Sequence, residues 1–248
     1  MTPQIHILNG DALKEQFPAS INGDIIVARE CMVDGNVTGG NLEEVFAIRA
    51  SFISQNYGGS KQDYYDKAAT EFLKILEIKD DTEINLWFED DLFCQVNFWF
   101  VVDLLFKNNR VHKVFLIRPE THYYYGFGGL KKSELVSIYE NRLALTALKE
   151  ISSLWTSYQS NNFEKLQAIS IQLEHTYPFL LTAVQAHIQR TPTNGNLGRP
   201  AASLLAIMNE LGTQEFGPVF KEFSKRESIY GYGDLHVKKL YDDLLLHR

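Results

Sequence analysis

Three consecutive acidic residues, Glu89-Asp90-Asp91, separate a short apolar segment from a long one and are the first candidates for chemistry. The segment before them predicts a strand, and residues 92–105 after them predict a buried helix, because that segment is apolar on nearly every side. One aspartate at a helix start is commonly a cap, which accepts a hydrogen bond from a free backbone N–H. A cap needs only one acid. The turn is therefore either a cap with solvated charges or part of a ligand site.

Polar residues follow three other predicted strands in the same way. Asn9-Gly10-Asp11 follows the first, Arg29-Glu30 the second and Arg118 the fourth. A turn with a cap is the simplest interpretation of Asn9-Gly10-Asp11, although its glycine would also allow backbone to approach a ligand closely.

The elements that would position these residues are four strands and the helices between them. β-Branched and aromatic residues predict strands at 4–8, 24–28, 84–88 and 113–117, and amphipathic helices are predicted at 42–55 and 64–78. Strands that alternate with helical segments favour a parallel sheet with helices on both faces. Because the carboxyl ends of parallel strands meet at one edge, we expect the four polar strand ends to lie together, where open α/β sheets bind ligands.

The second half of the chain has a helical pattern. Helices are predicted at 135–158, 163–175, 179–189, 201–211, 220–225 and 235–246, with a glycine-aromatic turn at 230–234. We therefore predict an α/β protein with two parts. Residues 1–130 form a small, Rossmann-like, three-layer domain with a parallel sheet, and residues 131–248 form an all-helical, winged-helix-like region.

Composition limits the classes of partner. The net charge of -7 disfavours a nucleic-acid-coating or anionic-membrane-binding surface. From residue 165 onward nine Lys or Arg residues face eight Asp or Glu residues, so nucleic-acid binding by the helical region is unlikely but not excluded. We expect no membrane partner and a cytoplasmic location, since the chain has no long uncharged apolar segment and no signal-like start.

The cysteines and histidines form no recognisable chemical motif. Cys31 and Cys94 fall near the predicted site, where each is either a nucleophile or, more simply, a small buried residue. No histidine pair has the spacing of a zinc site.

Several motifs resemble those of an uncharacterised bacterial family known only as a domain of unknown function, number eighteen thirty-five. The matching segments are HILNGDAL, VARECMVDGNV, WFEDDLFCQ, LGRP and GYGD, together with Arg49 and Phe52 of the first long helix. The chain differs from the family pattern at Glu30, Asn36 and Asp90, which replace Asp, Pro and His. The resemblance implies a shared site that includes Arg49 and Gln95. The differences leave carboxylate chemistry possible at this site and put a role for a histidine in doubt. The resemblance implies no known reaction.

The strand ends and the resemblance together define the predicted site. Asp11, Glu30 and Asp91 are the predicted catalytic residues, and Asp11 and Asp91 are the predicted ligands of Mg²⁺ or Mn²⁺. The residues predicted to contact a ligand are Asn9, Gly10, Arg29, Arg49, Glu89, Gln95 and Arg118.

Two functions follow from this site, and the sequence does not choose between them. The first is an enzyme that acts on a phosphorylated small molecule or nucleotide, with carboxylates on the cation and arginines on phosphate oxygens. The second is a ligand-sensing regulatory or interaction protein without catalytic activity. Turnover of a phosphate ester distinguishes the first from the second.

Overall fold

A five-stranded sheet organises the computed structural model, which describes residues 2–110, 113–119, 126–193 and 195–246. The strand order is β2-β1-β3-β4-β5. The first four strands are parallel and the last pair is antiparallel, so the chain is an α/β protein with a mostly parallel sheet. The strands are β1 Gln4–Asn9, β2 Asp24–Ala28, β3 Glu83–Trp87, β4 Lys113–Ile117 and β5 Leu143–Ala144. The four predicted strands are thus confirmed to within one residue.

Apolar side chains alternate across the sheet and pack into a hydrophobic cluster on each face. On β1, Ile7 belongs to the larger cluster and Leu8 to the smaller one. Trp87 of β3 and Ile117 of β4 extend the smaller cluster, which Leu13 of helix α1 (Asp11–Gln16) helps to cover. Burial on both faces explains why these strands are mostly apolar, with His6 of β1 and Asn85 of β3 as buried polar residues.

The segment after the acidic turn forms helix α5 (Leu92–Lys107), in which all residues from Leu92 to Leu105 except Phe93 are buried. α5 packs against helices α7 (Leu148–Gln159) and α9 (Pro178–Arg190), and shares the larger cluster with the sheet. The predicted burial of this helix between the sheet and the later helices is confirmed. The proposed division at residue 130 stays a prediction.

Two predicted helices before β3 are present with modified boundaries. α2 spans Leu42–Asn56, and Asn41 caps it by accepting from the Glu44 amide. The helix predicted at 64–78 begins earlier, because Ser60 and Asp63 form a capping box. It consists of α3 (Lys61–Tyr64), a π-helical turn (Tyr65–Ala69) and α4 (Thr70–Leu76).

The single helix predicted at 135–158 is wrong. The chain forms α6 (Lys132–Glu140), then β5, then α7. Residues of β5 pair with β4, and Arg142 bridges to Glu83 at 3.0 Å while lying over the Phe115 ring. Because of these long-range contacts, residues 142–144 are not part of a helix. The prediction of a region without strands from residue 131 onward therefore fails at Leu143–Ala144.

The remaining helices agree with the sequence pattern, except that α11 starts earlier than predicted. Pro218 lies in the first turn of α11, where its missing N–H costs no helical hydrogen bond. In the described part of the chain no strand follows Ala144, so the winged-helix-like shape stays a prediction. These helices are α8 Phe163–Leu173, α10 Arg199–Leu211, α11 Phe216–Arg226 and α12 Asp234–Leu246.

No helix within the described ranges has both the length and the apolar character needed to cross a membrane.

Candidate functional site

The carboxyl ends of the parallel strands lie at one edge of the sheet, as predicted. Asn9 is level with Ala28 at the end of β2, and its neighbour Leu8 is level with Trp87 at the end of β3. Trp87 is in turn level with Ile117 at the end of β4. All the predicted strand-end residues therefore start from the same edge.

A buried asparagine of α5 links three of these segments. The Asn97 amide donates to Asn9 Oδ1 at 2.9 Å and to the Glu30 carbonyl at 2.6 Å. Its Oδ1 accepts from the Met32 backbone N–H at 3.1 Å. Asn9 in turn donates to the Cys94 sulfur at 3.0 Å. Sequence reasoning did not select Asn97, although a polar residue in such an apolar helix is a signal that it has a specific partner.

The acidic turn brings two carboxylates and a thiol together. A carboxylate oxygen of Glu89, a carboxylate oxygen of Asp91 and the Cys94 sulfur all lie within 4.8 Å of one another. Asp91 caps α5, because its Oδ1 accepts from the Cys94 backbone N–H at 3.0 Å. Glu89 Oε1 accepts from the Phe127 backbone N–H at 2.6 Å. Asp91 is thus a helix cap, and it is also a member of a cluster; whether this turn belongs to a ligand site stays a prediction.

Burial and like charge shift the pKa values of this cluster. Burial, followed by the charge of Asp91, raises the pKa of the Glu89 carboxyl to about 7. Burial and the two carboxylates raise the pKa of the Cys94 thiol well above its ordinary value. At neutral pH the cluster therefore holds a neutral thiol and a Glu89 carboxyl that is close to its pKa.

Two glycines from distant segments cover the carboxylates. At Gly126 an added Cβ would lie 2.0 Å from the Glu89 carboxylate, and at Gly231 it would lie 1.9 Å from Asp91 Oδ1. Both have positive φ, +50° and +63°. The backbone can approach the acidic turn this closely only because these residues have no side chain.

Asp90, the middle residue of the turn, pairs with Arg118 and does not belong to the Glu89–Asp91–Cys94 cluster. It forms a two-point ion pair with Arg118 of the β4 end, with N–O distances of 2.7 and 2.6 Å. The Arg118 guanidinium also lies over the Phe179 ring of α9, 4.9 Å from its centroid.

Asp11 is not a member of the Glu89–Asp91–Cys94 cluster. It forms a two-point pair with Arg29 at 2.7 and 2.8 Å, and about half of its side chain is exposed. The hydrogen bond from Arg29 lowers the pKa of Asp11. Arg29 also donates to the Lys67 carbonyl in the π-helical turn. A cation held by Asp11 together with Asp91 stays a prediction.

Glu30 and Arg49 form a buried ion pair. Their N–O distances are 2.8 Å and neither side chain is exposed to solvent. Arg49 also donates to the backbone carbonyls of Asp34 and Cys31. The pair thus holds the loop after β2, and contact of either side chain with a ligand stays a prediction.

Gln95 is also buried, and it supports the acidic turn rather than facing solvent. Its Nε2 donates to the Glu89 backbone carbonyl at 2.8 Å.

Burial, followed by the charge of Glu30, raises the pKa of the Cys31 thiol to about 12. A thiol with so high a pKa is mostly protonated at neutral pH, so the buried-residue interpretation suits both cysteines better than the nucleophile.

Gly10 lies at the start of α1 with a φ of +94°, and an added Cβ there would meet no atom within 4 Å. Gly10 therefore lies beside open space next to Asn9.

Comparison of the chain with protein-family models, with curated proteins and with solved structures found no match. The resemblance to the domain of unknown function described above therefore stays a prediction that rests on its motifs.

Proposed function

We propose that the protein binds and acts on a phosphorylated small molecule or nucleotide at the carboxyl edge of its sheet, with a divalent cation. The observation that carries this proposal is the strand order β2-β1-β3-β4. The chain moves from β1 to one side for β2 and then to the other side for β3. Such a reversal opens a crevice between the carboxyl ends of the two central strands, here β1 and β3, where doubly wound sheets bind ligands.

The residues at this crevice have the chemistry of a cation site. Asn9 and Gly10 come from β1, and Glu89 and Asp91 come from the turn after β3. Mg²⁺ and Mn²⁺ prefer carboxylate oxygens, and one or two carboxylates suffice when phosphate oxygens and water complete the coordination. Glu89 and Asp91 repel each other, and a cation would relieve that repulsion as a proton does. We therefore assign Glu89 and Asp91 as the carboxylates that hold the cation.

The chemistry follows from these groups. A bound divalent cation would supply charge stabilisation for phosphoryl oxygens. The Glu89 carboxyl, whose pKa is raised to about 7 in the absence of a cation, would release its proton when the cation binds. Asp91 orients the start of α5 through its cap, and Asn97 holds Asn9 against it.

This proposal includes the finer architectural predictions. We infer a Rossmann-like sheet domain that carries the site, and a helical region beside it. The motif resemblance to the domain of unknown function supports a shared site, because two of its segments, HILNGDAL and WFEDDLFCQ, contain the ends of β1 and β3.

The test uses the Asp91→Asn variant, because Asn caps a helix about as well as Asp but lacks its charge. We expect Mn²⁺ together with members of a panel of nucleotides and sugar phosphates to raise the melting temperature of the wild type, since a ligand selective for the folded state stabilises it. Asp91→Asn should melt normally alone and lose this response.

The matched control is Asp66→Asn, which removes an exposed carboxylate elsewhere and should respond like the wild type. Release of phosphate from a stabilising ligand would establish an enzyme, whereas stabilisation without turnover would favour a ligand sensor. The proposal is wrong if no member of the panel raises the melting temperature of the wild type with Mn²⁺ or, in a repeat of the experiment, with Mg²⁺.

A further inference from the structure

A cavity of about 500 Å³ lies beside the acidic turn, between the end of β4 and helices α9, α10 and α11. Asp90 and Arg118 line its sheet side. Arg199 and Arg226 line the opposite side, and Phe179 contributes an apolar surface. We name this space the arginine cavity. Its volume is within the range of small-molecule sites, which is about 300–1,000 Å³.

The lining of the arginine cavity is positively charged although the chain is acidic. Three arginines and one aspartate line it, so the lining residues alone carry a formal charge of 3 − 1 = +2, whereas the whole chain carries -7. Glu227, Glu210 and Glu222 offset part of this charge, because they pair with Arg199 and Arg226 from outside the lining. The arginine side chains are 27%, 44% and 38% exposed in chain order. Each guanidinium is therefore within reach of a ligand and is still partly withdrawn from bulk water, which strengthens its interaction with an anion.

Acidic residues hold two of these guanidinium groups from outside the cavity. Arg199 Nε lies 2.9 Å from Glu227, and Arg226 Nη2 lies 2.7 Å from Glu210. Neither glutamate lines the cavity. Arg118 is held by Asp90, which does line it.

These pairs leave donors for a ligand. The two-point pair with Asp90 uses two of the five N–H groups of Arg118. Arg226 uses its Nε with Glu222 and its Nη2 with Glu210. The pairs fix the guanidinium orientation before a ligand binds, and this lowers the entropy cost of binding. The planar fork of arginine is suited to phosphate oxygens.

We infer that the arginine cavity binds the phosphate groups of a small organic molecule that carries at least two of them. This inference rests on the proposed function and deepens it, because it locates the phosphate groups on Arg118, Arg199 and Arg226. Arg49, in contrast, is not exposed to solvent, and neither Arg29 nor Arg49 lines this cavity. The wall at Phe179 provides the apolar contact that an organic ligand requires.

The test uses inorganic pyrophosphate as the probe, with EDTA present so that binding does not depend on a cation. Titration calorimetry should show saturable binding to the wild type. Arg199→Gln and Arg226→Gln should each weaken it about tenfold, the effect of losing one charged hydrogen bond. Circular dichroism should show that Arg226→Gln is folded, because its ion pairs with Glu210 and Glu222 are largely exposed. The same measurement checks Arg199→Gln, which leaves the buried Glu227 unpaired, so Arg226→Gln tests the inference by itself if Arg199→Gln is unfolded.

The matched control is Lys225→Gln, which removes the same charge from the neighbouring position of α11. Lys225 is 65% exposed and does not line the cavity, so pyrophosphate affinity should stay within about twofold of the wild type. Equal losses in all three variants would show a general charge effect and overturn the inference. Absence of pyrophosphate binding to the wild type would also overturn it.

The two proposals fail in different ways. Asp91→Asn should keep its pyrophosphate affinity in EDTA, since Asp91 does not line the arginine cavity. A normal pyrophosphate result without any Mn²⁺-dependent response would refute the proposed function alone. A Mn²⁺-dependent response that is insensitive to Arg199→Gln and Arg226→Gln would refute the inference alone.

Discussion

The close contact between Gly231 and the acidic turn predicts that Gly231→Ala is destabilising. Gly231 has a φ of +63°, and an added Cβ would lie 1.9 Å from Asp91 Oδ1 and 3.1 Å from the Phe93 Cβ. That oxygen accepts the hydrogen bond that caps α5. The substitution therefore introduces both backbone strain and a clash with the cap.

The expected cost has two parts. A non-glycine residue in the left-handed region costs about 1–2 kcal/mol. Displacement of Asp91 removes a helix cap, which costs about 1 kcal/mol. We therefore expect Gly231→Ala to lower the free energy of unfolding by about 2–3 kcal/mol. Gly212→Ala is the matched control, because Gly212 has a φ of +61° and an added Cβ there meets no atom within 4 Å.

Urea unfolding followed by circular dichroism measures both variants. Gly212→Ala should show the backbone cost alone, so that the difference between the two reports the clash. In an Asp91→Ala background the clash partner is absent, and Gly231→Ala should then cost no more than Gly212→Ala. Equal costs of the two glycine substitutions in the wild-type background would refute the contact between Gly231 and Asp91.

Three further predictions concern burial and charge. Val101→Asp should lower the free energy of unfolding by several kcal/mol, because it places an unpaired carboxylate in a dry core. Phe106→Asp, at a position of the same helix that is 39% exposed, should cost clearly less, because its carboxylate can reach water and only the apolar burial of the ring is lost. The folded-state pKa of Glu89 is raised to about 7 from an ordinary 4.5, so its contribution to stability should be fully present below pH 4.5 and lost as pH rises through 7. In urea titrations at several pH values, Glu89→Gln should remove this part of the pH dependence. An unchanged pH profile would contradict the raised pKa. In the same assay, Glu30→Gln should lower the free energy of unfolding by about 3–5 kcal/mol, because it leaves the buried Arg49 guanidinium without its carboxylate. Asp11→Asn, in the exposed pair with Arg29, should lower it by less than about 1 kcal/mol. Similar losses in the two variants would show that burial does not distinguish the two ion pairs.

Local patterns were sufficient to predict the sheet and its edge. Each parallel strand is a short apolar run that ends in polar residues, and α5 is apolar on nearly all sides, so chain periodicity alone marks these elements. Parallel pairing then requires the strand ends to share an edge. Asp91 was recognisable as a helix start for the same local reason.

Only the tertiary structure decided which polar groups pair. Asp11 pairs with Arg29, Glu30 with Arg49 and Asp90 with Arg118 across 18, 19 and 28 positions of the chain. The sequence offers several acids for each arginine at the same edge.

The tertiary structure also decided where local preference is overridden. Residues 143–144 follow a helical pattern, but the open edge of β4 offers backbone hydrogen bonds that the isolated segment lacks. In the sequence, nothing distinguishes Gly126 and Gly231 from other loop glycines. Their role depends on the Glu89 and Asp91 carboxylates, which the fold places against them. The periodicity of apolar residues predicts the local conformation of a segment and which of its faces is buried. The partners of a side chain that are distant in the sequence depend on the three-dimensional packing of the whole chain.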